Sequence, residues 1–234
     1  DGTYSTALDP NKTVIGIVFQ TDKSRIGQEE KDALITKGIN EPHGLVMSVK
    51  NAGTGLQWST ESKDFEELTN CGSKDQCNAD ISGLFNYNTV IAESEGKLSS
   101  YPAFEAVNQW NAQDSEHKAP ENTTGWYLPA VGQWYDFFAN LGGLPDWNSA
   151  SGENDYSWSG QPERVSKVNA CFAPLGNGNY DAFLPNSSGS QCFWSSSEYS
   201  EDGARLWDVY SSGRVDCYWY NKGYNTAVRP VLAF

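Results

Sequence analysis

The sequence has very few histidines and methionines, and it has no long apolar run. Two histidines, His43 and His117, and one methionine occur among 234 residues. A helix that crosses a bilayer needs about 20 consecutive apolar residues, and no apolar stretch of this sequence approaches that length. This argues against a membrane-spanning segment. The motifs GxSxG, HExxH and GxxxxGKS/T do not occur, and neither histidine accompanies a nucleophile motif. We therefore expect a protein without the sites that these motifs mark.

Basic residues are scarce as well. Lys and Arg together number 16 against 30 Asp and Glu, which gives a formal net charge of −14. Such a surface repels nucleic-acid phosphates and anionic lipid headgroups, so we exclude both partners. The sequence opens DGTYSTALDPN without a charged-then-apolar leader. This predicts either a cytosolic protein or one whose signal segment has been removed. Residues 1–13 are polar and read as an extended arm.

No CxxC pair occurs among the five cysteines, which excludes zinc-ribbon and thioredoxin-like sites. Cys71 and Cys77 bracket a short polar segment, and we predict that they form a disulfide, which implies an oxidising compartment. The alternative is two ordinary cysteines in a polar loop. The odd count leaves at least one free thiol, and Cys217 is expected to be buried.

What the sequence does contain is a β-hairpin near its end. Two runs of alternating apolar and polar residues, Ala204–Tyr210 and Arg214–Tyr220, flank a turn that contains Gly213. The alternation gives the hairpin an apolar face and a polar face that can meet water. The apolar face carries Trp207, Val209, Val215, Cys217 and Trp219. The polar face carries Asp208, Tyr210, Arg214, Asp216, Tyr218 and Tyr220.

The remaining pattern predicts strands at both ends and helices between them. Strands are expected at Val14–Phe19, Gly44–Val49, Leu56–Trp58, around Phe193-Trp194 and at Ala227–Phe234, with Pro230 at an edge or bulge. Helices are expected at Ser100–Gln113, Pro129–Leu141 and Pro162–Phe172, with a short helix or an exposed loop at Gln28–Lys37 and a helical turn at Ser62–Leu68. This order indicates an α+β fold in one domain, 1–234, whose first and last strands meet in one sheet.

Two segments resemble a known family of bacterial surface domains. The run FWSSSEY, the hairpin and VRPVLAF at the end, with GWYLPAVGQWYDFFANLGG at Gly125–Gly143, are similar to the Fibrobacter succinogenes major paralogous domain. They also resemble the C-terminal domain of Legionella collagen-like protein. Tyr127 replaces the family's arginine, and Gln133-Trp134 replaces its Glu-Leu pair. The resemblance implies a C-type lectin-like fold, with a mixed or antiparallel sheet, two to three helices and long loops.

Many C-type lectins bind sugars through calcium, but this sequence lacks their ligand motifs. Asp146–Gly152 begins like an EF-hand loop, yet its fifth position is Ala150 and its glycine comes one residue late. The Glu-Pro-Asn and Gln-Pro-Asp tripeptides are absent, and Gln161-Pro162-Glu163 is the nearest segment. We therefore predict no metal and no cofactor.

The long loop Leu144–Gly160 is the best candidate for a ligand surface, together with the polar face of the hairpin. Loops above roughly 12–15 residues are usually functional or disordered, and this one is rich in aromatic residues. Aromatic rings and nearby polar groups commonly hold sugars or protein partners. The alternative is that the rings form a satellite core beneath the loop. The predicted ligand-binding residues are Asp146, Trp147, Asn148, Asn154, Asp155, Trp158, Tyr218, Tyr220 and Tyr224.

We therefore expect a non-enzymatic binding or adhesion module of the bacterial cell surface. It would be secreted, or anchored through a lipid on the outer surface, and would bind a glycan or a host protein. Neighbouring subunits of a surface assembly such as a fimbria are further expected partners. One alternative is a carbohydrate-active hydrolase that uses paired carboxylates such as Glu153/Asp155 or Glu201/Asp202. The other is a purely structural subunit of a surface fibre.

Overall fold

The computed structural model describes residues 3–112, 114–183 and 189–234, and shows a mixed α+β architecture with two sheets. The strands are β1 (Gly16–Gln20), β2 (Leu45–Ser48), β3 (Gly53–Leu56), β4 (Tyr156–Trp158), β5 (Ser190–Glu198), β6 (Gly203–Tyr210), β7 (Val215–Asn221), β8 (Thr226–Val228) and β9 (Val231–Ala233). The helices are α1 (Gln28–Ile35), α2 (Lys74–Ala79), α3 (Gly83–Glu93), α4 (Pro102–Trp110), α5 (Val131–Gly142) and α6 (Glu163–Phe172). None of the helices in these ranges is long and apolar enough to cross a membrane.

The smaller sheet joins the two ends of the chain, as predicted. Its strand order is β1-β2-β9. Val46 in β2 is paired with Val18 on one side and with Leu232 on the other, both antiparallel. The predicted closing strand is in fact two strands, β8 and β9, because Pro230 lies between them and cannot donate a ladder hydrogen bond. This break lets β8 belong to the larger sheet and β9 to the smaller one.

The larger sheet has the strand order β3-β8-β5-β6-β7-β4, with the predicted hairpin β6–β7 inside it. Trp207 is opposite Cys217 and Asp208 is opposite Asp216, so the register confirms the alternation of the two faces. Trp219, which was predicted for the apolar face, is instead 39% exposed. Gly213 has φ 75° in the turn, and an added Cβ there would lie 1.8 Å from the carbonyl oxygen of Gln161. The turn therefore requires glycine.

The helices at the predicted positions are α1, α4, α5 and α6, although the last residue predicted for α4, Gln113, lies outside the described residues. Two helices were not predicted. The first, α2, begins at a capping box formed by Ser73 and Gln76, inside the expected cysteine loop. The second, α3, begins at a glycine and buries the polar residues Asn86 and Thr89, so its sequence lacks a clean apolar stripe. The predicted helical turn at Ser62–Leu68 is limited to its end, where the amide of Leu68 donates to the carbonyl oxygen of Phe65 at 2.8 Å.

Helix α5 packs against both sheets. The ring of Phe137 is 5.7 Å from that of Phe19 in β1. On the other side, Trp134 is 5.1 Å from Phe193 in β5 and Phe138 is 5.5 Å from Trp207 in β6. These rings are buried and anchor the aromatic core, since each removes a large apolar area from water.

The first turn of α5 is also joined to α2 by a close backbone approach. The amide of Gly132 donates to the carbonyl oxygen of Asp80 at 2.9 Å. A Cβ at Gly132 would lie 2.6 Å from this oxygen and 3.0 Å from that of Asn78. The contact therefore depends on a glycine at this position.

We predict that Gly132→Ala destabilises the protein by about 1–3 kcal/mol, because α2 must move away from α5. The matched control is Gly72→Ala, where an added Cβ meets only the side-chain oxygen of Gln76, at 3.7 Å. Thermal unfolding followed by circular dichroism measures both variants. Equal melting temperatures for the two variants would show that the approach of α2 to α5 is not tight.

Candidate ligand-binding site

The polar face of the hairpin carries an ordered hydrogen-bond network. The guanidinium of Arg214 contacts both carboxylate oxygens of Asp216, with Nε at 2.9 Å from Oδ1 and Nη2 at 2.8 Å from Oδ2. The hydroxyl of Tyr218 donates to Asp216 and accepts from Arg214 Nη2 at 2.6 Å. Arg214 Nε also donates to the hydroxyl of Ser157 in β4 at 3.1 Å. The network fixes the orientation of these polar groups on the outer face of the sheet.

Next to this network, Asp208 presents a carboxylate oxygen that has no partner. Asp208 is 6% exposed, and its Oδ1 makes no hydrogen bond within the described ranges. Burial raises the pKa of the Tyr210 hydroxyl, and a hydrogen bond with Asp208 raises it further. Burial, again with a contribution from Asp208, raises the pKa of the Cys192 thiol to about 12. Because Oδ1 of Asp208 is buried, it lies beneath the surface of the sheet, where an unpaired carboxylate oxygen costs stability.

Two exposed rings lie on the same side of the hairpin. Tyr220 and Tyr224 are 48% and 41% exposed, and their ring centroids are 4.3 Å apart. Tyr220 follows Tyr218 by two residues in β7, so its side chain is on the same face of the sheet. The three predicted tyrosines therefore share one surface, which we call the hairpin outer face: Asp208, Tyr210, Arg214, Asp216, Tyr218, Tyr220 and Tyr224.

The two tryptophans predicted to stack on a ligand are instead part of the core. Trp147 and Trp158 are 4% and 1% exposed, and their rings contact each other at 5.1 Å. Trp158 also stacks on Trp207 at 5.6 Å. The cause is strand β4, which pairs with β7 and directs Trp158 to the inner side of the sheet. The expectation that these rings present a face to a sugar is therefore wrong, and the satellite-core alternative holds for them.

The polar residues of the same loop are exposed, but they do not all lie near the hairpin outer face. Asp155 Oδ1 accepts from the backbone amide of Trp219 at 3.2 Å, and Arg205 Nη1 donates to the carbonyl oxygen of Asn154 at 2.6 Å. These contacts attach Asp155 to β7 and Asn154 to β6. Asp146 instead accepts from the amide of Asn148 at 2.8 Å. In the described part of the chain, the side chains of Asp146 and Asn148 do not contact the hairpin tyrosines.

The disulfide predicted between Cys71 and Cys77 is absent, and all five cysteines, which lie in the described ranges, are free thiols. Cys71 and Cys77 are both buried, because the segment between them enters helix α2 and turns Cys77 inward. There Cys77 is close to Cys217 and Arg205. Hydrogen bonds from Cys217 and Cys71, with the charge of Arg205 nearby, lower the pKa of the Cys77 thiol.

Sequence reasoning placed Asp208, Tyr210, Arg214 and Asp216 on the correct face but did not include them among the ligand residues. The alternation of polar residues in the hairpin could have identified them, because four consecutive outward positions carry hydrogen-bonding side chains. Among the described residues, no group of three or more His, Cys, Asp or Glu side chains could hold a metal ion.

Comparison with known proteins gives a structural neighbour. The chain is similar to a fimbrial protein from Bacteroides ovatus ATCC 8483, with a TM-score of 0.62 and 18% sequence identity. The match covers 100% of this chain and 46% of the neighbour, so this chain spans about half of that protein's length. At this identity the likeness shows a shared fold. No family model and no curated protein matches the sequence.

Because the loop tryptophans are core residues, we predict that Trp147→Ala or Trp158→Ala alone destabilises the protein by about 3–5 kcal/mol. The double variant Tyr220→Ala with Tyr224→Ala is the matched control, since both of its rings are exposed, and it should unfold at the temperature of the unmodified protein. Calorimetry of the three variants is the measurement. An unchanged melting temperature in the tryptophan variants would show that Trp147 and Trp158 are not core residues and can face a ligand.

The burial of the thiols predicts their order of alkylation. Iodoacetamide should label the partly exposed Cys171 and Cys192 in the folded protein, and should reach the buried Cys71, Cys77 and Cys217 only after unfolding. Mass spectrometry of unreduced peptides identifies the labelled sites. A peptide pair joined through Cys71 and Cys77 would contradict the free thiols described above.

Proposed function

We propose that this chain is a non-enzymatic adhesion module of a bacterial surface fibre and that its hairpin outer face contacts a glycan. The observation that carries the proposal is the exposed pair of rings of Tyr220 and Tyr224, 4.3 Å apart, on the face that also carries the ordered network of Arg214, Asp216 and Tyr218. Flat rings offer apolar area to the C–H face of a sugar, while carboxylates and hydroxyls accept and donate to its hydroxyl groups. The predicted contribution of Asp146, Asn148, Asn154 and Asp155 is retained as a second, peripheral set of contacts.

The fibre context is supported by the neighbour, whose name describes a fimbrial protein. We infer that this chain belongs to a surface assembly and contacts other subunits, and that it is secreted or anchored on the outer surface. The acidic charge of −14 is compatible with a soluble surface domain. We also propose that its fold is C-type lectin-like and forms one domain, as the resemblance of the FWSSSEY and VRPVLAF segments implies.

The hydrolase alternative rests on carboxylate pairs. Glu153, Asp155, Glu201 and Asp202 are exposed residues, without the enclosed cleft in which a glycosidase holds its two acids. In the hairpin, Asp208 and Asp216 are directly opposite in the register, but Asp216 is already paired with Arg214. No observation on the described residues favours hydrolysis over binding.

A glycan array with and without calcium tests the proposal. We expect binding that does not require calcium, and we expect the double variant Tyr220→Ala with Tyr224→Ala to lose it. The matched control is Phe85→Ala, which removes an exposed ring of α3 that is 37% exposed. Ligands should bind the control and the unmodified protein equally, because Phe85 lies outside the hairpin outer face.

Three results would contradict the proposal. Binding that survives the loss of both tyrosines would place the site elsewhere. Release of sugar from the bound glycan would indicate a hydrolase. Fibre assembly without binding to any array component would indicate a purely structural subunit.

A further inference from the structure

The C-terminal end of β7 carries exposed rings on both of its faces. Tyr220 belongs to the hairpin outer face, whereas the side chain of Trp219, the preceding residue, is on the opposite face of the sheet. Trp219 is exposed, although the other residues on its face of the strand, Val215 and Cys217, are buried. The neighbouring strand β4 pairs with β7 only from Val215 to Cys217, so β7 is the edge strand of the sheet beside Trp219.

The exposed indole of Trp219 is held in place by the side chains packed on one side of it. Its ring is 4.8 Å from that of Tyr199 and nearly parallel to it, with an interplanar angle of 8°. The ring of Tyr199 in turn lies 4.8 Å from the guanidinium carbon of Arg205, which is fully buried. An added Cβ on Gly203 would be 3.0 Å from Trp219 Cε3, so the indole packs directly against this glycine. One side of the indole is therefore covered and fixed, and a ligand can reach the other side without reordering it.

A carboxylate with one open oxygen lies beside this ring. Asp155 Oδ1 accepts from the backbone amide of Trp219 at 3.2 Å and is 4.0 Å from Arg205 Nη1. The other oxygen, Oδ2, makes no hydrogen bond with the part of the chain that the structure describes, and the side chain is exposed. The side-chain amide of Asn154, the preceding residue, is likewise exposed and has no partner there. The loop therefore offers an open acceptor next to the ring and, one residue earlier, an amide that can donate and accept.

The charge around the ring argues against an acidic ligand. Four acids are exposed on the loop and on the turn between β5 and β6: Glu153, Asp155, Glu201 and Asp202. Arg205 is buried, and its guanidinium contacts Tyr199 and the loop instead of the open side of the indole. A ligand that carries a carboxylate would be repelled by these acids, whereas a neutral ligand with hydroxyl groups would not.

We propose that the open side of the Trp219 indole stacks on a neutral hexose ring, whose hydroxyl groups bind Asp155 and Asn154. The C–H face of the sugar matches the flat indole, and its hydroxyl groups donate to the open oxygen of Asp155. A cation would also be attracted to an indole beside a carboxylate, but Arg205 Nη1, 4.0 Å from Asp155, already offsets part of that charge. The site goes beyond the proposed function, because it uses none of the residues of the hairpin outer face.

The test is a saturation-transfer NMR titration of the full chain that carries Tyr220→Ala and Tyr224→Ala, so that the hairpin outer face does not contribute. The ligands are D-glucose, D-galactose and D-mannose, each compared with its uronate, and tetramethylammonium. We expect saturable binding of at least one hexose and about tenfold weaker binding of its uronate.

Three results of this titration would overturn the proposal. The absence of saturable binding of every hexose would remove the site. A uronate or tetramethylammonium that binds as tightly as the hexose would remove the neutral ligand. Hexose binding by the unmodified protein that is lost in the tyrosine variant would move the sugar to the hairpin outer face.

Substitutions of the indole test whether the sugar stacks on it. Trp219→Leu removes the flat ring but keeps an apolar side chain against Tyr199 and Gly203, and it should weaken hexose binding about tenfold. Trp219→Phe restores a ring and should recover most of the affinity. Circular dichroism shows whether both variants keep the fold. Unchanged affinity in the leucine variant would overturn the proposal.

Asp155→Asn tests the carboxylate without changing the ring. The amide oxygen can still accept from the backbone of Trp219, so the fold should be kept, while the tenfold preference for the hexose over its uronate should fall to about threefold. Glu121→Gln removes the same charge at an exposed position between α4 and α5 and should leave the preference unchanged. An unchanged preference in the Asp155 variant would show that this carboxylate does not face the ligand.

The glycan array separates this inference from the proposed function. We expect a contact with one sugar ring to be too weak to hold a glycan through washing, so the array reports the hairpin outer face. Array binding that survives the loss of both tyrosines but is lost with Trp219→Leu would remove the proposed function and leave this inference standing. Array binding that depends on the tyrosines, without hexose binding in the titration, would do the reverse.

Discussion

The structure depends on buried cationic side chains of the terminal strands, which donate to backbone carbonyls of distant loops. Arg205 in β6 donates to the carbonyl oxygens of Cys71 and Asn154. Lys222, which follows β7, donates to the carbonyl oxygen of Lys63 and pairs with the buried Glu198. Arg229 donates to the carbonyl oxygen of Asp181. Irregular segments need partners for their buried polar groups, and a multidentate cation supplies several donors at once. The last strands thereby fix loops from most of the chain.

This arrangement explains why long loops can hold ligand groups in defined positions. The loop that contains Asn154 is attached to β6 through Arg205, and its two tryptophans fill space beneath the larger sheet. The hairpin above it is therefore supported by a packed layer, and the outward tyrosines keep their positions. Preorganised polar groups lose little entropy on binding, which favours a surface of this kind as a recognition site.

Residues with a regular period were the predictable part of the fold. The alternation in β6 and β7 gave both faces of the hairpin, and the apolar stripe of α5 gave the helix at the centre of the core. Trp147 and Trp158 were not assigned correctly, since a loop has no period that distinguishes a buried ring from an exposed one. The contact between Asn51 and Asp181 was not predictable either, because the two residues are far apart in the sequence and meet only in the folded chain, through a direct hydrogen bond and through Arg229.

Hydrogen–deuterium exchange of the free protein tests most directly whether the loops are fixed by the terminal strands. Within Leu144–Gly160, the amides of Asn148, Ala150, Ser151 and Ser157 donate to oxygens of the loop itself. We predict that peptides from this loop are protected nearly as well as those from β6 and β7. Exchange of the loop amides within seconds, while the sheet stays protected, would contradict this prediction. It would show that the terminal strands do not fix the loop and that the loop's aromatic residues are exposed to solvent.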